Sequence, residues 1–446
     1  MLSWKQKLIY GTGDLSISLV TTIVGAYFAI FLTDTVGLPA GKAALAVFIG
    51  RTWDYVNDPL IGFLSDRTRS RWGRRRPWLL FGAIPFGLAF AMMWWRPPTS
   101  GETLLVVYYA AAYLIFDAAV TVVYMPYVAL TPDLTQSYDE RTGLTSYRMA
   151  FSILASLIAF VIPAMIIGEF NPESARRFML MGVLFGGISV VPILVTFAGT
   201  RERPAYTRQS RPAFLTSIKA AFRNRPFVFS AAMFLLTWTS IAILQATLLF
   251  FIKYGLGRES QSEIIMASVF VTALLALPVW LAVSNRSDKR KAFVIGLSFW
   301  AVIQVVLILL TPAAGLPLVL GMCVLAGIGV SAAHVLPWSI IPDAIEWDEW
   351  NTGTRHEGTF YSIVTLAQKV ASSLAIPLAL LLLEARGYLP GDAAQPPEAI
   401  QAIRILVGPI PAVLLLAAIA FALFYPLDRS EHERIVAELE LRRRGP

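Results

Sequence analysis

The sequence is poor in the residues that form disulfides or bind transition metals. It contains a single cysteine, Cys323, so no disulfide can form within the chain. Its three histidines, His334, His356 and His432, are far apart, and none belongs to a cluster with the spacing of zinc ligands. These absences argue against a metalloenzyme, and we expect the chain to work without a cofactor.

Charged residues are also scarce, at 15% of the chain, whereas hydrophobic residues make up 56% and the mean hydropathy is +0.63. Soluble domains are less apolar than this, so the composition predicts a multi-pass membrane protein. The net charge of +8 comes from 37 basic and 29 acidic residues. In a soluble protein this surplus would suggest nucleic-acid binding. In a membrane protein, basic cytoplasmic loops explain it better, and no nucleic-acid partner is expected.

Apolar stretches of about 20 residues, the length that crosses a bilayer as a helix, recur along the whole chain. Polar or Pro/Gly-containing breaks separate them. We predict an all-α polytopic membrane protein with twelve transmembrane helices, the first of which is not a cleavable signal. The predicted spans are 8–33, 43–65, 78–96, 103–130, 144–168, 178–199, 226–252, 263–284, 292–311, 316–341, 357–384 and 402–426.

Lysine and arginine are unevenly shared between the two sides of the predicted membrane. Twenty-six of the 37 fall on the side of both termini, eight fall on the other side and three lie inside spans. Because basic residues accumulate in cytoplasmic loops, we expect both termini in the cytoplasm and the protein in the cytoplasmic (inner) membrane.

The spans fall into two groups of six around a polar stretch at 200–225. The segments "MPYVALTPDL" (125–134) and "LPWSIIPDAI" (336–345) end the fourth span of each group in a similar way. We predict two six-helix bundles at 1–200 and 226–426, a cytoplasmic central loop at 201–225 and a cytoplasmic tail at 427–446. Transporters that rock two bundles around a midplane site have this layout.

A charged residue at the bilayer centre costs about 2.5–3.5 kcal/mol, so each one needs a partner or a task. Arg51, Asp54 and Asp58 lie at i, i+3 and i+7, on one face of the second span, with Asn57 beside them. Two carboxylates and an amide oxygen suit a small cation such as Na⁺, and without a metal the same pair can carry a proton. The alternative is a static network in which the carboxylates only neutralise Arg51, Arg148 and Lys369.

Other intramembrane polar residues are candidates for solute binding or coupling. Asp117 shares a helical face with Thr121 and Tyr124, and Thr121 offers a further oxygen ligand. Asp14 is either functional or a solvated carboxylate near the cytoplasmic end of span 1. Lys369 is expected to pair with the carboxylates of span 2.

The arginine-rich loop 2–3 has two interpretations. Most of its arginines, Arg67 among them, are expected to fix the topology at anionic headgroups. Asp66 is expected to pair with basic neighbours and so to latch one state of the carrier.

Several motifs in chain order resemble one transporter family. They are "YGTGD", "WDYVNDP", a loop "DRTRSRWG" that ends in "RPW", "MPY", "SYRMAF" and "SIVTLAQK". Over the whole chain the sequence is similar to the glycoside-pentoside-hexuronide:cation symporters of the major facilitator superfamily, of the melibiose permease type. The resemblance implies a fold of two six-helix bundles.

The resemblance also implies roles for individual residues. It places Asp54, Asn57, Asp58 and Thr121 at sodium-site positions. It places Arg148, Thr365 and Lys369 around the solute. Where the permease has two sugar-gripping aspartates and a tryptophan, this chain has Ser18, Tyr124 and Val128. Asp14 and Asp117 are candidates to replace those carboxylates. Animal sodium-dependent lysophosphatidylcholine carriers of the same family also lack the aspartates.

The leading hypothesis is therefore a monomeric symporter that couples Na⁺ or H⁺ to a sugar or glycoside-like solute, with a lysophospholipid or another amphiphile as the alternative solute. A membrane enzyme is disfavoured, because the spans contain no nucleophile–base pair and no phosphate-binding glycine loop. A channel or a sensor is compatible with the hydropathy. However, the chain shows no repeated filter segment and no soluble output domain.

Overall fold

The computed structural model describes residues 2–99, 101–135, 138–202, 221–353, 357–392 and 394–444. Within these ranges a few side chains, those of residues 54–56 and 59 among them, are not described.

All regular elements in the described ranges are helical. The first half contains α1 (Trp4–Ile30), α2 (Ala40–Thr52), α3 (Asp54–Arg67), α4 (Arg76–Met93), α5 (Glu102–Ala129), α6 (Thr131–Leu134), α7 (Tyr138–Ile167) and α8 (Ala175–Gly199). The second half contains α9 (Arg225–Phe250), α10 (Ser262–Arg286), α11 (Lys289–Leu307), α12 (Leu316–Thr352), α13 (Glu357–Ala385), α14 (Pro397–Val407), α15 (Pro409–Leu423) and α16 (Arg429–Arg444).

Eleven segments in the described part of the chain are long and apolar enough to cross a membrane. The predicted span 43–65 is not among them. The structure divides it into two helices, α2 and α3, that meet at Trp53. Each of these helices is shorter than a span, and the charged residues around the junction lower the hydropathy. One uninterrupted helix at 43–65 is therefore replaced by two, and the crossing of the membrane by this segment stays a prediction.

The chain divides into two compact units. The first contains Met1–Gln209 together with Glu259–Glu263 and Ile376–Ala399, and the second contains Ser210–Arg258, Ile264–Ala375 and Ile400–Pro446. Each unit thus corresponds largely to one half of the sequence. The first unit also includes two short segments from the second half.

The two units repeat the same packing pattern internally. In the first unit α1 and α4 both pack on α8, and α4 also packs on α5. In the second unit α9 and α11 both pack on α15, and α11 also packs on α12. The first and third membrane helices of each half therefore pack on the last, which supports the internal repeat seen in the sequence.

A shared backbone irregularity also marks the repeat. α1 continues into a π-helical turn at Phe31–Thr35, and α9 continues into one at Phe251–Gly255. Both turns are five residues long and follow the first membrane helix of their half. Turns of this kind are rare and interrupt the regular hydrogen-bond ladder, so their recurrence at matching places indicates a common structural plan.

Aromatic packing holds the first π turn in place. The Phe31 ring lies 5.3 Å from Trp94 of the α4 C-terminus and 4.8 Å from Phe178 of α8, measured between ring centroids. The Trp94 and Phe178 rings are themselves stacked at 5.7 Å. All three side chains are fully buried. In the same unit the Tyr388 hydroxyl donates a hydrogen bond to the carboxylate of Asp34 in this turn.

The fourth membrane helix differs between the halves. In the first half α5 ends at Ala129 and is followed by the single turn α6, whereas α12 runs on to Thr352. The sequence prediction ended this span at 341, near its Pro-Asp motif, which was too early. Gly353 ends the helix instead, in a left-handed conformation with φ +69° that favours glycine.

Candidate functional site

The polar face of the second predicted span packs on α5. The Arg51 Nε donates a hydrogen bond of 2.5 Å to the Tyr113 hydroxyl, and the guanidinium also lies over the Tyr113 ring. Gly50 lies against Tyr113, so that any larger side chain at this position would overlap it. The intramembrane arginine is thus satisfied in part by a phenol on the neighbouring helix.

Two turns further along α5, the neighbouring helix is α3, which carries two of the predicted cation ligands, Asn57 and Asp58, and contacts a third, Thr121. The Thr121 hydroxyl donates a 3.2 Å hydrogen bond to the Asp58 Oδ1. Thr121 and Asn57 are buried, and the amide nitrogen of Asn57 has no hydrogen-bond partner among the described residues. The side chain of Asp54, the fourth predicted ligand, lies outside the described part of the structure.

The oxygen atoms of these side chains are suitable ligands for a small hard cation. Asp58 supplies a carboxylate, Thr121 a hydroxyl and Asn57 an amide, and oxygen atoms of these types are the ligands that hard cations prefer. In Asn57 only the carbonyl oxygen can bind a cation, whereas the unpartnered amide nitrogen is a hydrogen-bond donor. The chemistry is equally compatible with a proton on the Asp58 carboxylate.

Asp117 belongs to the same face of α5. It is half-buried and lies one helical turn from both Tyr113 and Thr121, which contact α2 and α3. Asp117 is a candidate for solute binding, as a replacement for a missing carboxylate, and that role stays a prediction. Its position on the helix also places it beside the cation-site candidates.

A second polar cluster connects α1 to α7. The Arg148 Nε donates a 2.5 Å hydrogen bond to the Asp14 Oδ2, and both side chains are buried. Asp14 is therefore not a solvated carboxylate, which was one of the two interpretations of its sequence position. Asp14 is thus a partner of Arg148, and the static-network alternative, in which carboxylates of the second span neutralise Arg148, stays a prediction.

Aromatic side chains surround this buried ion pair. The Arg148 guanidinium lies 5.1 Å from the Tyr127 ring, and Tyr10 stacks on Tyr127 with centroids 4.9 Å apart. Tyr124, a predicted solute-binding residue, is half-buried and close enough to Arg148 to interact with it electrostatically. The ring faces partly replace the water that the guanidinium gives up on burial.

Hydroxyl groups continue the contact between α1 and α7 beyond the ion pair. Ser18, one turn after Asp14, is hydrogen-bonded to Ser152, one turn after Arg148, with 2.7 Å between the hydroxyl oxygens. One turn further, the Thr22 and Ser156 hydroxyl oxygens are 3.4 Å apart. The predicted solute residues Asp14, Ser18 and Arg148 therefore lie along one row of polar contacts between α1 and α7, which we call the polar seam.

The remaining solute-site candidates lie on α13. Thr365 and Lys369 are half-buried and one helical turn apart, so they share a face of that helix. Both belong to the second unit. The pairing of Lys369 with the carboxylates of span 2 therefore joins residues of different units and stays a prediction.

The arginine-rich loop forms a compact ion cluster in the first unit. Arg75, which is only 2% exposed, lies 3.2 Å from the Asp133 carboxylate and 3.0 Å from that of Asp66. Arg74 lies 3.3 Å from Asp133 as well. We call these four residues the Asp133 cluster. It confirms that Asp66 pairs with a basic neighbour, but its role as a latch stays a prediction.

Two further contacts complete the loop. Arg67 lies over the Phe63 ring of its own helix at 3.9 Å, and no acidic partner is seen for it in the described ranges. The Glu202 carboxylate accepts hydrogen bonds from the backbone N–H groups of Arg74, Arg75 and Arg76, at the N-terminus of α4. An anion at this position also interacts favourably with the helix dipole.

Sequence reasoning missed three of the residues that complete these clusters. Tyr113 was within reach, because it continues the face of Asp117 and Thr121 one turn earlier. Ser152 follows Arg148 by one turn in the same way. Tyr127 gave no comparable signal, since a buried tyrosine in an apolar helix is unremarkable.

Comparison with known proteins agrees with this architecture. Residues 9–429 match the family described as MFS/sugar transport protein. The chain is 33% identical to an uncharacterised symporter of Synechocystis, over 100% of this chain and 98% of that protein. It is 28% identical to the sodium-dependent lysophosphatidylcholine symporter 1-A of Danio rerio, over 98% of this chain and 88% of that protein.

A solved structure shows the same fold. A bacterial homologue of the human lysosomal transporter Spinster, in an inward-facing and unoccupied conformation, matches with a TM-score of 0.67 at 13% identity. The match covers 94% of this chain and 95% of that one. The chain is a multi-span membrane transporter and not an enzyme. It belongs to the MFS/sugar transport protein family of the major facilitator superfamily.

Proposed function

We propose that this protein is a cation-coupled symporter of the glycoside-pentoside-hexuronide:cation type. Na⁺ or H⁺ binds at Asp58, with Asn57, Thr121 and Asp54 as further ligands, and drives a sugar or glycoside-like solute across the cytoplasmic membrane by alternating access. Arg148, Asp14 and Ser18 contact the solute from the first half, and Thr365 and Lys369 contact it from the second.

The observation that carries this proposal is the contact between Asp58 and Thr121 at a buried position in the membrane. A carboxylate there is costly unless it has a function or a partner. Thr121 contacts it at 3.2 Å, and the buried Asn57 precedes it in the chain, so carboxylate, hydroxyl and amide oxygens of the kinds that hard cations prefer occur together here. A bound cation would compensate the charge of the carboxylate.

The polar seam of α1 and α7 supports a solute rich in hydroxyl groups. Arg148 is already neutralised by Asp14, so this part of the site carries no net charge when it is ionised. Ser18 and Ser152 offer hydroxyl groups that can both donate and accept hydrogen bonds. A neutral polyhydroxylated solute matches these properties better than an anion does.

A lysophospholipid is the second candidate solute. The observation that favours it is the similarity, over 98% of this chain, to a relative that is named for lysophosphatidylcholine. The replacement of two carboxylates by Ser18 and Tyr124 is in keeping with a solute that needs fewer strong hydrogen-bond acceptors.

The decisive variant for coupling is Asp58→Asn, assayed in proteoliposomes with imposed Na⁺ or proton gradients. We expect gradient-driven accumulation to fall by about a hundredfold, because loss of a charged ligand costs about 3 kcal/mol of ion binding. Glu102→Gln is a matched control, since it removes a carboxylate of α5 that forms an exposed ion pair with Lys42 of α2. Undiminished accumulation by Asp58→Asn would refute the coupling role.

The solute is identified by calorimetry. Binding of glycosides, uronides and lysophosphatidylcholine to the protein, measured with and without Na⁺, separates the two candidates. We expect glycosides to bind and to bind more tightly with the coupling ion. Binding of lysophosphatidylcholine alone would overturn the sugar assignment and leave the symport mechanism intact.

A further inference from the structure

The C-terminal helix α16 packs on the second unit through one face. Its sequence is strongly charged, yet Ile435 and Leu439 are almost completely buried. At the far end of this face the Trp350 indole N–H donates a 2.6 Å hydrogen bond to Glu438, and Arg442 donates one to the Trp350 carbonyl oxygen. The helix is therefore docked on α12 at the end predicted to be cytoplasmic.

At the near end of the docked face is His432. Its Nε2 lies 2.6 Å from the Glu346 Oε2 and 3.4 Å from the Asp343 Oδ1, and both carboxylates belong to α12. Lys289 of α11 approaches the same oxygen of Asp343 with its ammonium group, at 2.5 Å. We call these four residues the Asp343 cluster.

The charges of this cluster balance only when the histidine carries a proton. With Asp343 and Glu346 ionised and Lys289 protonated, a neutral His432 leaves one net negative charge, and a protonated His432 leaves none. A single imidazole N–H placed near two carboxylate oxygens is also the arrangement that favours the imidazolium form.

The remaining charged groups at this end of α16 have their own partners. Arg429 donates to the Ser287 carbonyl oxygen and, from its backbone, to the Asp288 carboxylate, and its guanidinium pairs with Glu433. Asp428 accepts hydrogen bonds from Ser430 and from the backbone of Glu431. The groups that face His432 are thus Asp343 and Glu346 from α12 and Lys289 from α11.

We propose that docking of the C-terminal helix on α12 is controlled by the protonation of His432. The protonated side chain bridges α16 to Glu346 and Asp343 and keeps the helix in place. When the proton is lost, the hydrogen bonding of the ring to these carboxylates loses its charge assistance, and the helix detaches. The transporter thereby carries a pH-sensitive contact at the end predicted to be cytoplasmic.

The direction of the effect follows from linkage. The hydrogen bond to Glu346 raises the pKa of His432 above its ordinary value of 6.5, against the opposing effect of burial. A group whose pKa is raised in the docked state stabilises docking fully below its undocked pKa. That stabilisation is lost as the pH rises through the higher pKa of the docked state. Docking is therefore firm at pH 6 and weak at pH 9.

The test measures the accessibility of a thiol at the docked face in the full-length protein in nanodiscs. Ile435→Cys is made in a Cys323→Ser background, and its rate of maleimide labelling is divided by that of Leu441→Cys, a position that is 70% exposed. This division removes the intrinsic pH dependence of thiol reactivity. We expect the ratio to rise about fivefold between pH 6 and pH 9.

Variants of the histidine show whether the proton is the cause. With His432→Gln the ratio should be high at both pH values, and with His432→Arg, which keeps a positive charge, it should be low at both. Glu431→Gln, which alters an exposed carboxylate of the same helix, should leave the pH response unchanged. A ratio that does not change with pH, or a His432→Gln variant that keeps the response, would overturn the proposal.

A second measurement covers the case in which Ile435→Cys itself loosens the helix. Amide hydrogen exchange over residues 430–442 of the unaltered chain, corrected for intrinsic rates, should show protection at pH 6 that is lost at pH 9. Equal protection at the two pH values would contradict pH-controlled docking.

Discussion

The Asp133 cluster of the first half and the Asp343 cluster of the second occupy corresponding places, but their positive charges come from different side chains. Each contains the aspartate of a Pro-Asp pair, which follows α5 in the first half and lies inside α12 in the second. Each also contains a basic residue near the start of the third membrane helix of its half, Arg75 before α4 or Lys289 at the start of α11. Arginines supply the first cluster, and a lysine and a histidine supply the second. The first cluster is therefore permanently charged near neutral pH, whereas the second can titrate.

Burial strengthens this contrast. Arg75 and Asp133 are 2% and 3% exposed, so their charges depend on each other and on Asp66. The side chain of Lys289 is about one-third exposed and keeps contact with solvent. The same backbone plan thus supports a rigid ionic anchor in one half and an adjustable one in the other.

The largest effect is expected for Asp133→Asn. This change removes an anion from two arginines, one of them almost completely buried, and should lower the free energy of unfolding by about 3 kcal/mol. Because guanidinium groups stay charged, the loss should be the same at pH 6 and pH 9. Equilibrium unfolding in mixed micelles measures it, with Glu102→Gln as the control. A loss no greater than that of the control would show that the cluster is not an anchor.

A smaller effect is expected for Asp343→Asn. Lys289 can turn to solvent when its partner is removed, so the free energy of unfolding should fall by only about 1–2 kcal/mol. The same unfolding assay at pH 6 allows direct comparison with Asp133→Asn. An equal decrease in the free energy of unfolding for the two variants would contradict the distinction between a rigid and an adjustable cluster.

The smallest effect is expected for His432→Gln, and it should depend on pH. The raised pKa of His432 means that its contribution is present at pH 6 and lost at pH 9. We expect a loss of at most about 1 kcal/mol at pH 6, since solvent screens a partly exposed pair, and none at pH 9. A loss that stays constant across this range would show that His432 acts by packing and not by charge.

Much of the fold was predictable because hydrophobic length and basic loops are local properties of the sequence. The spans near 103–130 and 178–199 lie within a few residues of α5 and α8. The end of the span at 341 was predicted too early because proline was taken as a terminator. Pro337 and Pro342 lie inside α12, because a long helix packed against its neighbours tolerates the missing N–H donors.

The polar faces of the site were predictable, but their partners were not. The stripe of Arg51 and Asp58 follows from helical periodicity alone. That it meets Tyr113 and Thr121 depends on how two helices are rotated against each other, which no local pattern encodes. The pairing of Arg148 with Asp14 joins residues 134 positions apart, and only the packing of α7 on α1 brings them together.

The junction of α2 and α3 has a consequence for how the protein is made. A segment with Arg51, Asp54 and Asp58 enters a bilayer unfavourably by itself, since each central charge costs about 2.5–3.5 kcal/mol. Its hydrogen-bond partners Tyr113 and Thr121 are synthesised some 60 residues later, on α5. We therefore expect stable integration of this segment to wait for α5, so that the order of membrane insertion differs from the order of synthesis.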